Sequence, residues 1–301
     1  MNFTANTPLD QFLTILFERY MANVPDVQKI SGALIEKGII HSQDEIINDH
    51  IAFRTLGVPH LGIASLEKIF LRHGYQKRDY YYFKEKKLDA YWYAPPSPEY
   101  PRIFLSELRV NDLSDAAQAI IRQYTQPITT DPVDALDLND GKAIGEFLHQ
   151  QLWNAPAKKD YTELLKESEY AAWVIYNRYY LNHYTISVHT LQEGYNTLAQ
   201  FNEFLESIGI KLNTSGGKIK QSPDGLLLQS STIAPMIEVT FTGGDKMTIA
   251  GSYVEFAERR VLPAFAHLPA GSIGREHRRD GFEANNADKI FESTYTEQTR
   301  Q

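Results

Sequence analysis

The sequence predicts an α+β fold in which one strand–helix–strand–strand–strand unit occurs twice. Two observations carry this. A short histidine-bearing strand appears at Asp49–Thr55 (DHIAFRT) and again at Asn182–Val188 (NHYTISV). Each is followed by a helical pattern ending in glycine, then by strands, the last of which carries a glutamate: Glu107 in PRIFLSEL and Glu255 in GSYVEFAER. His50 and His183 lie 133 residues apart, too far for a solenoid period but suited to duplication of a small module.

The elements follow in order. Residues 1–40 form an N-terminal helical segment, with Phe12, Ile15, Leu16 and Tyr20, then Val27, Ile30, Leu34 and Ile35, at near-helical spacing. Pro25 divides it, because proline fits the first turn of a helix better than its interior, and Gly38 ends it. The first module, 46–110, has a strand at 48–55, a loop with Gly57 and Pro59, and a helix at 63–73 stopped by Gly74. A hairpin from two aromatic runs around a charged turn and a closing strand at 102–109 complete it. Residues 111–175 read as a helical insert with a loop from Pro127 to Asp140. The second module, 180–260, opens at 182–189 and has a helix at 194–208 ended by Gly209. Strands are expected near 210–214, 226–231, 235–243 and 251–258. The tail, 261–301, is charged and irregular, a loop plus a docked terminus. The whole chain is expected to form a single metal-binding catalytic domain.

Composition narrows the chemistry. With 301 residues, 43% hydrophobic and 23% charged, the chain can bury a sizeable core. A net charge of −8 argues against a nucleic-acid partner, and no apolar run approaches a membrane span, so no membrane partner is expected either. The N-terminus lacks the basic start of a secretory signal, which makes cytoplasmic residence the expectation. The absence of cysteine removes thiolate metal sites, disulfides and cysteine nucleophiles together, so any metal must be held by imidazole and carboxylate.

Side chains alternate along a strand, which places His50, Ala52 and Arg54 on one face and Ile51 and Phe53 on the other. His183, Thr185, Ser187 and His189 share a face in the second histidine strand, and Tyr253, Glu255 and Ala257 share one in the closing strand. A polar inward face is costly unless something satisfies it, and a metal would. Two histidines and a carboxylate suit a non-haem Fe(II) oxygenase, and the same set serves zinc hydrolases. Arg54, about 13 Å along the strand from His50, could take the far carboxylate of a small acid held at the metal. A strand histidine is more often structural than ligating, so the paired occurrence matters more than either alone. Glu107 and His189 are additional candidates. Glu107 reads equally well as a structural partner, and His189 as a residue outside the ligand set. His41, His60, His73, His149, His267 and His277 are expected to be solvated. The basic cluster Arg275, His277, Arg278 and Arg279 reads as a solvated face or an anion contact. There is no G-x-S-x-G elbow, H-E-x-x-H motif or phosphate loop.

Together DHIAFRT, FLRHGY, PRIFLSEL, NHYT and YVEFAER resemble the 2-oxoadipate dioxygenase/decarboxylase family of the vicinal-oxygen-chelate, glyoxalase-like superfamily. The resemblance covers about 48–110 and 170–290. It implies two glyoxalase-like modules in a partly open barrel. It also implies an Fe(II) enzyme of lysine catabolism, with Zn, Ni or Mn as alternative metals. The expected substrates are a small 2-oxo dicarboxylic acid such as 2-oxoadipate and O2, and the products a 2-hydroxy acid and CO2. The family's ligands map onto His50, His183 and Glu255, and its substrate arginine onto Arg54. Two alternatives share the fold: a divalent-metal isomerase, lyase or hydrolase, and a metal-free binding module. Longer family members place further substrate contacts in C-terminal segments that do not align with this chain. Nothing in the sequence fixes an oligomeric state.

Overall fold

The structure is a computed structural model that describes residues 7–300. Helix α1 (Pro8–Asn23) opens on a capping box in which Thr7 and Asp10 satisfy each other's backbone N–H groups. Pro25 occupies the first position of α2 (Pro25–Glu36), where its missing N–H costs nothing. These helices bury Phe12, Leu16, Phe17, Tyr20, Val27 and Ile30.

The first module runs β1 (Asn48–Leu56), α3 (Ile63–Arg72), β2 (Gln76–Phe83), β3 (Leu88–Ala94) and β4 (Arg102–Leu108). A helical stretch follows: α4 (Asp115–Thr125), α5 (Gly141–Phe147), α6 (Lys158–Glu167) and α7 (Glu169–Asn177). The second module repeats the first with β5 (Leu181–Ser187), α8 (Leu198–Ser207), β6 (Lys220–Gln221), β7 (Leu227–Ser231) and, after an inserted hairpin, β10 (Tyr253–Arg259). That hairpin is β8 (Met236–Thr240) and β9 (Lys246–Ala250). Helices α9 (Ala284–Phe291) and α10 (Thr296–Thr299) end the described chain.

One eight-stranded sheet holds both modules in the order β2-β3-β4-β1-β5-β10-β7-β6. Each half reads outward from the centre as first, last, third and second strand, so the halves are related by a pseudo-twofold. The two histidine strands meet antiparallel at that centre, with Ala52 opposite His183. Each closing strand runs parallel to its module's first strand. The result is the expected α+β class, a curled half-barrel sheet with helices packed on it.

Two expected strands differ. Residues 210–214 contribute only an isolated bridge, Leu212 to Thr232. The expected strand at 235–243 is β8, which pairs with β9 in a separate two-stranded sheet. The turn takes Gly243 and Gly244, both at positive φ, and the hairpin exposes Met236, Glu238 and Lys246 on one face while Val239 and Ile249 pack into the core from the other.

Candidate metal centre

The register of three neighbouring strands brings His50, His183 and Glu255 together. His50 lies on β1, His183 on β5, and Glu255 on β10, where Tyr253 pairs with His183 and Glu255 with Thr185. One ligand atom from each of the three lies within 4.8 Å of the others, and all three residues are buried. The Nε2 atoms of His50 and His183 stand 3.5 and 2.9 Å from Glu255 Oε2.

The outer nitrogens decide what those inner atoms are. His50 Nδ1 lies 2.9 Å from Asp49 Oδ1, and His183 Nδ1 lies 3.0 Å from Asn182 Oδ1. A carboxylate and an amide oxygen only accept, so each neutral ring donates from Nδ1 and turns the Nε2 lone pair inward. In the neutral rings two nitrogen lone pairs and a carboxylate oxygen then face one another in a dry interior, where the Thr185 hydroxyl, 3.0 Å from His50 Nε2, is a donor within reach of one of them. A cation resolves that conflict, and the donor set and its depth fit a divalent metal held by two imidazoles and one carboxylate. Gln229 Nε2 donates to Glu255 Oε1 at 2.7 Å, and Asn286 Nδ2 donates to Gln229 Oε1 at 3.0 Å, which leaves Oε2 for the centre.

The fields differ between the rings. Burial pushes the Glu255 carboxyl up, but the two imidazoles outweigh it and hold the group down to about 2. Burial pulls His50 down, but the Glu255 and Asp49 carboxylates raise it above the usual imidazole value. Burial wins at His183, whose pKa is lowered. Asp49 is charged despite burial because Arg259 grips it with Nε and Nη2 at 2.6 and 2.9 Å, with Arg102 at 3.4 Å.

Arg54 shares the His50 face of β1 and is 1% exposed. Nη1 donates to Thr294 Oγ1 at 2.9 Å and Nη2 to Phe291 O at 3.0 Å, whereas Nε has no partner among the described residues. The guanidinium lies 5.1 to 5.7 Å from the rings of Tyr170, Trp173 and Phe291. A cavity of about 20 Å³ beside the trio is walled by Phe104, Phe282, Ala287, Ile290 and Phe291. That is room for roughly one water.

The two additional candidates lie elsewhere. Glu107 is on the opposite face of the sheet, where Oε2 accepts the Ile63 N–H at the start of α3 at 2.7 Å. β5 ends at Ser187, so His189 falls in a 3₁₀ turn, where Nδ1 accepts the Arg259 N–H at 3.2 Å. Burial lowers His189 to about 4, so it is neutral. Of the histidines expected to be solvated, His73, His149 and His277 are half-buried against Phe12, Tyr180 and Phe265, and His277 Nδ1 accepts the Gly274 N–H. Sequence reasoning overlooked Asp49, Asn182 and Gln229. For the first two a signal existed, an Asp or Asn immediately before each histidine. Gln229 had none.

Comparison with known proteins gives the chain's family. A family model described as 2-oxoadipate dioxygenase/decarboxylase matches residues 12–269. The chloroplastic 2-oxoadipate dioxygenase/decarboxylase of Arabidopsis thaliana is 44% identical over 273 residues, covering 86% of this chain and 72% of that protein. A crystal structure of hydroxyglutarate synthase from Oryza sativa in complex with 2-oxoadipate superposes with TM-score 0.87 at 40% identity, covering 96% of this chain and 93% of that one. A Ralstonia eutropha protein named for the glyoxalase superfamily shares the fold, with TM-score 0.68 at 21% identity over 92% of this chain and 87% of its own. The Arabidopsis relative's chloroplast location contradicts the cytoplasmic residence expected above, which is withdrawn. A charged, globular surface suits any aqueous compartment, so composition could not choose between them.

Proposed function

The chain belongs to the 2-oxoadipate dioxygenase/decarboxylase family, and on that premise we propose that it converts 2-oxoadipate and O2 to 2-hydroxyglutarate and CO2 with Fe(II) at the His50–His183–Glu255 trio. The atoms balance. The substrate's first carboxylate leaves as CO2, one oxygen atom completes a carboxylate at the former keto carbon, and the other becomes the hydroxyl on the adjacent carbon. Bound there, ferrous iron would supply the one-electron chemistry that lets O2 react with a closed-shell acid.

The observation that carries this reading is the convergence of two inward imidazole lone pairs and one carboxylate oxygen on a buried point. Three protein ligands leave open positions for a chelating 2-oxo acid. Asp49 and Asn182 fix the two rings in the ligating tautomer, and Gln229 orients the carboxylate. Arg54 presents its unpartnered Nε on the same face, where the substrate's distal carboxylate would compensate a cation now held only by neutral oxygens. The cavity is far smaller than the substrate, so Phe282 and α9 must move outward to admit it and then return to exclude water.

Metal analysis after anaerobic purification, coupled to oxygen uptake, tests the proposal. One iron per chain and equal amounts of O2 consumed and CO2 released with 2-oxoadipate are expected. Iron-loaded protein that consumes no O2 across a series of 2-oxo acids would refute the assignment.

A further inference from the structure

A second cavity, of about 310 Å³, is lined by Asn48, Asp49, Arg102, Arg259, Arg275 and Arg278 among others, and it shares no lining residue with the cavity at the trio. From it we infer a binding site for a small oxyanion that carries a hydroxyl beside its charge, either hydrogen phosphate or a hydroxycarboxylate.

The charge count comes first. Four guanidiniums face two nearby carboxylates, Asp49 and Asp280, the latter 2.6 Å from Arg102. The exposed Glu276 carboxylate stands beside Gly274 of the lining, so four minus three leaves one positive charge uncompensated. Glu258, whose field reaches Arg278, is already paired with Arg260 at 2.8 Å.

Unused donors come second. Arg275 Nη1 donates to the carbonyls of Pro98 and Tyr100 at 2.9 and 2.8 Å, which pins the side chain. Its Nη2 is buried with no partner among the described residues. Arg278 Nη1 donates to Arg259 O at 2.8 Å. A buried guanidinium nitrogen without an acceptor is costly, and an anion is the acceptor it lacks.

Asn48 supplies the selective element. It is 7% exposed, and both its Oδ1 and its Nδ2 lack partners among the described residues. One side-chain amide thus offers a donor and an acceptor together. A fully deprotonated anion satisfies only the donor, whereas an anion with an adjacent O–H satisfies both. The site also adjoins the metal centre: Arg102 and Arg259 hold Asp49, which in turn holds His50. The basic cluster that the sequence left as a solvated face or an anion contact is therefore divided, with Arg275 and Arg278 turned into this cavity.

Isothermal titration of the full chain with inorganic phosphate, malate and succinate tests the inference. Saturable binding of phosphate or malate at one site per chain is expected, and whichever binds identifies the source. Arg278→Ala should weaken that binding by about tenfold or more, the loss of one charge-assisted hydrogen bond. Glu255→Gln should leave it unchanged. If Arg278→Ala melts early, Asn48→Leu tests the amide instead and should abolish any preference for malate over succinate. The inference is overturned if neither phosphate nor malate saturates below about 10 mM. Binding that survives both Arg278→Ala and Arg275→Ala, or that disappears in Glu255→Gln, also overturns it. Succinate binding as tightly as malate removes the role given to Asn48.

Discussion

Arg54→Met separates a substrate-binding arginine from a structural one. Methionine keeps much of the volume and sets a thioether among Tyr170, Trp173 and Phe291, a favourable contact for sulfur. The fold loses two hydrogen bonds from a charged donor, at about 1.5–3 kcal/mol each, and is relieved of a desolvated cation, whose burial costs several kcal/mol, so the opposed terms largely offset. Catalysis has no such offset. A charge-assisted hydrogen bond from Nε to a distal carboxylate in a dry site is worth up to about 3 kcal/mol, or roughly a hundredfold in kcat/KM. The assay is oxygen uptake with 2-oxoadipate and with 2-oxohexanoate, which lacks the distal carboxylate. The wild-type chain should prefer 2-oxoadipate by about that hundredfold, and the variant should be nearly indifferent, with equal metal content in both. An unchanged preference would refute the role assigned to Arg54, and loss of metal would make the residue structural.

Further predictions test the surroundings of the site. Asn182→Ala should lower metal affinity by about tenfold to a hundredfold, read by competition with a chromogenic chelator, because His183 then loses the acceptor that fixes its tautomer. Glu107→Gln should cost about 1–2 kcal/mol in denaturant unfolding while leaving metal content intact, since its carboxylate serves the start of α3. Metal loss in that variant would restore Glu107 as a ligand. Lys220 is buried, with Nζ donating to Asn213 O at 2.8 Å, and burial lowers it from 10.5 to about 8. Between about pH 8 and pH 10 the unfolded chain therefore binds more protons than the folded one, so this residue makes stability rise with pH. The difference in unfolding free energy between wild type and Lys220→Met should move in the wild type's favour across that window, and a flat difference would refute the assignment.

The sequence disclosed the centre of the fold more fully than its edges. β1, β5 and β10 are buried along their whole length, and their facing could be read because each alternates a polar ligand with apolar neighbours. The hairpin β8–β9 could not be placed, because alternation identifies a strand but not its partner. Residues beyond 261 read as a charged tail, yet Phe282, Ile290 and Phe291 close the metal cavity and Thr294 binds Arg54. A few apolar residues dispersed among charges give no periodic signal, so only the tertiary fold shows what they cover.

Register is what sequence spacing alone could not supply, and it resolves the two glutamates. In the second module, Glu255 pairs with the residue two beyond the histidine. The residue in that position of the first module pairs with Ala52, and it is Phe104, which walls the cavity. Glu107 instead pairs with Thr55, five beyond His50, and its counterpart is Glu258, whose Oε2 accepts the Leu198 N–H at the start of α8 at 2.7 Å. Both modules thus spend that glutamate on a helix start. In the first this requires Gly62, because a Cβ there would stand 2.1 Å from Glu107 Oε2. A metal needs three ligands converging on one point, and the pseudo-twofold offers two such positions around the β1–β5 seam. Glu255 fills one and Phe104 occupies the other, so the duplicated scaffold has a carboxylate on one side and an aromatic wall on the other. That asymmetry leaves one candidate metal position, at His50, His183 and Glu255, where the duplicated scaffold alone would offer two.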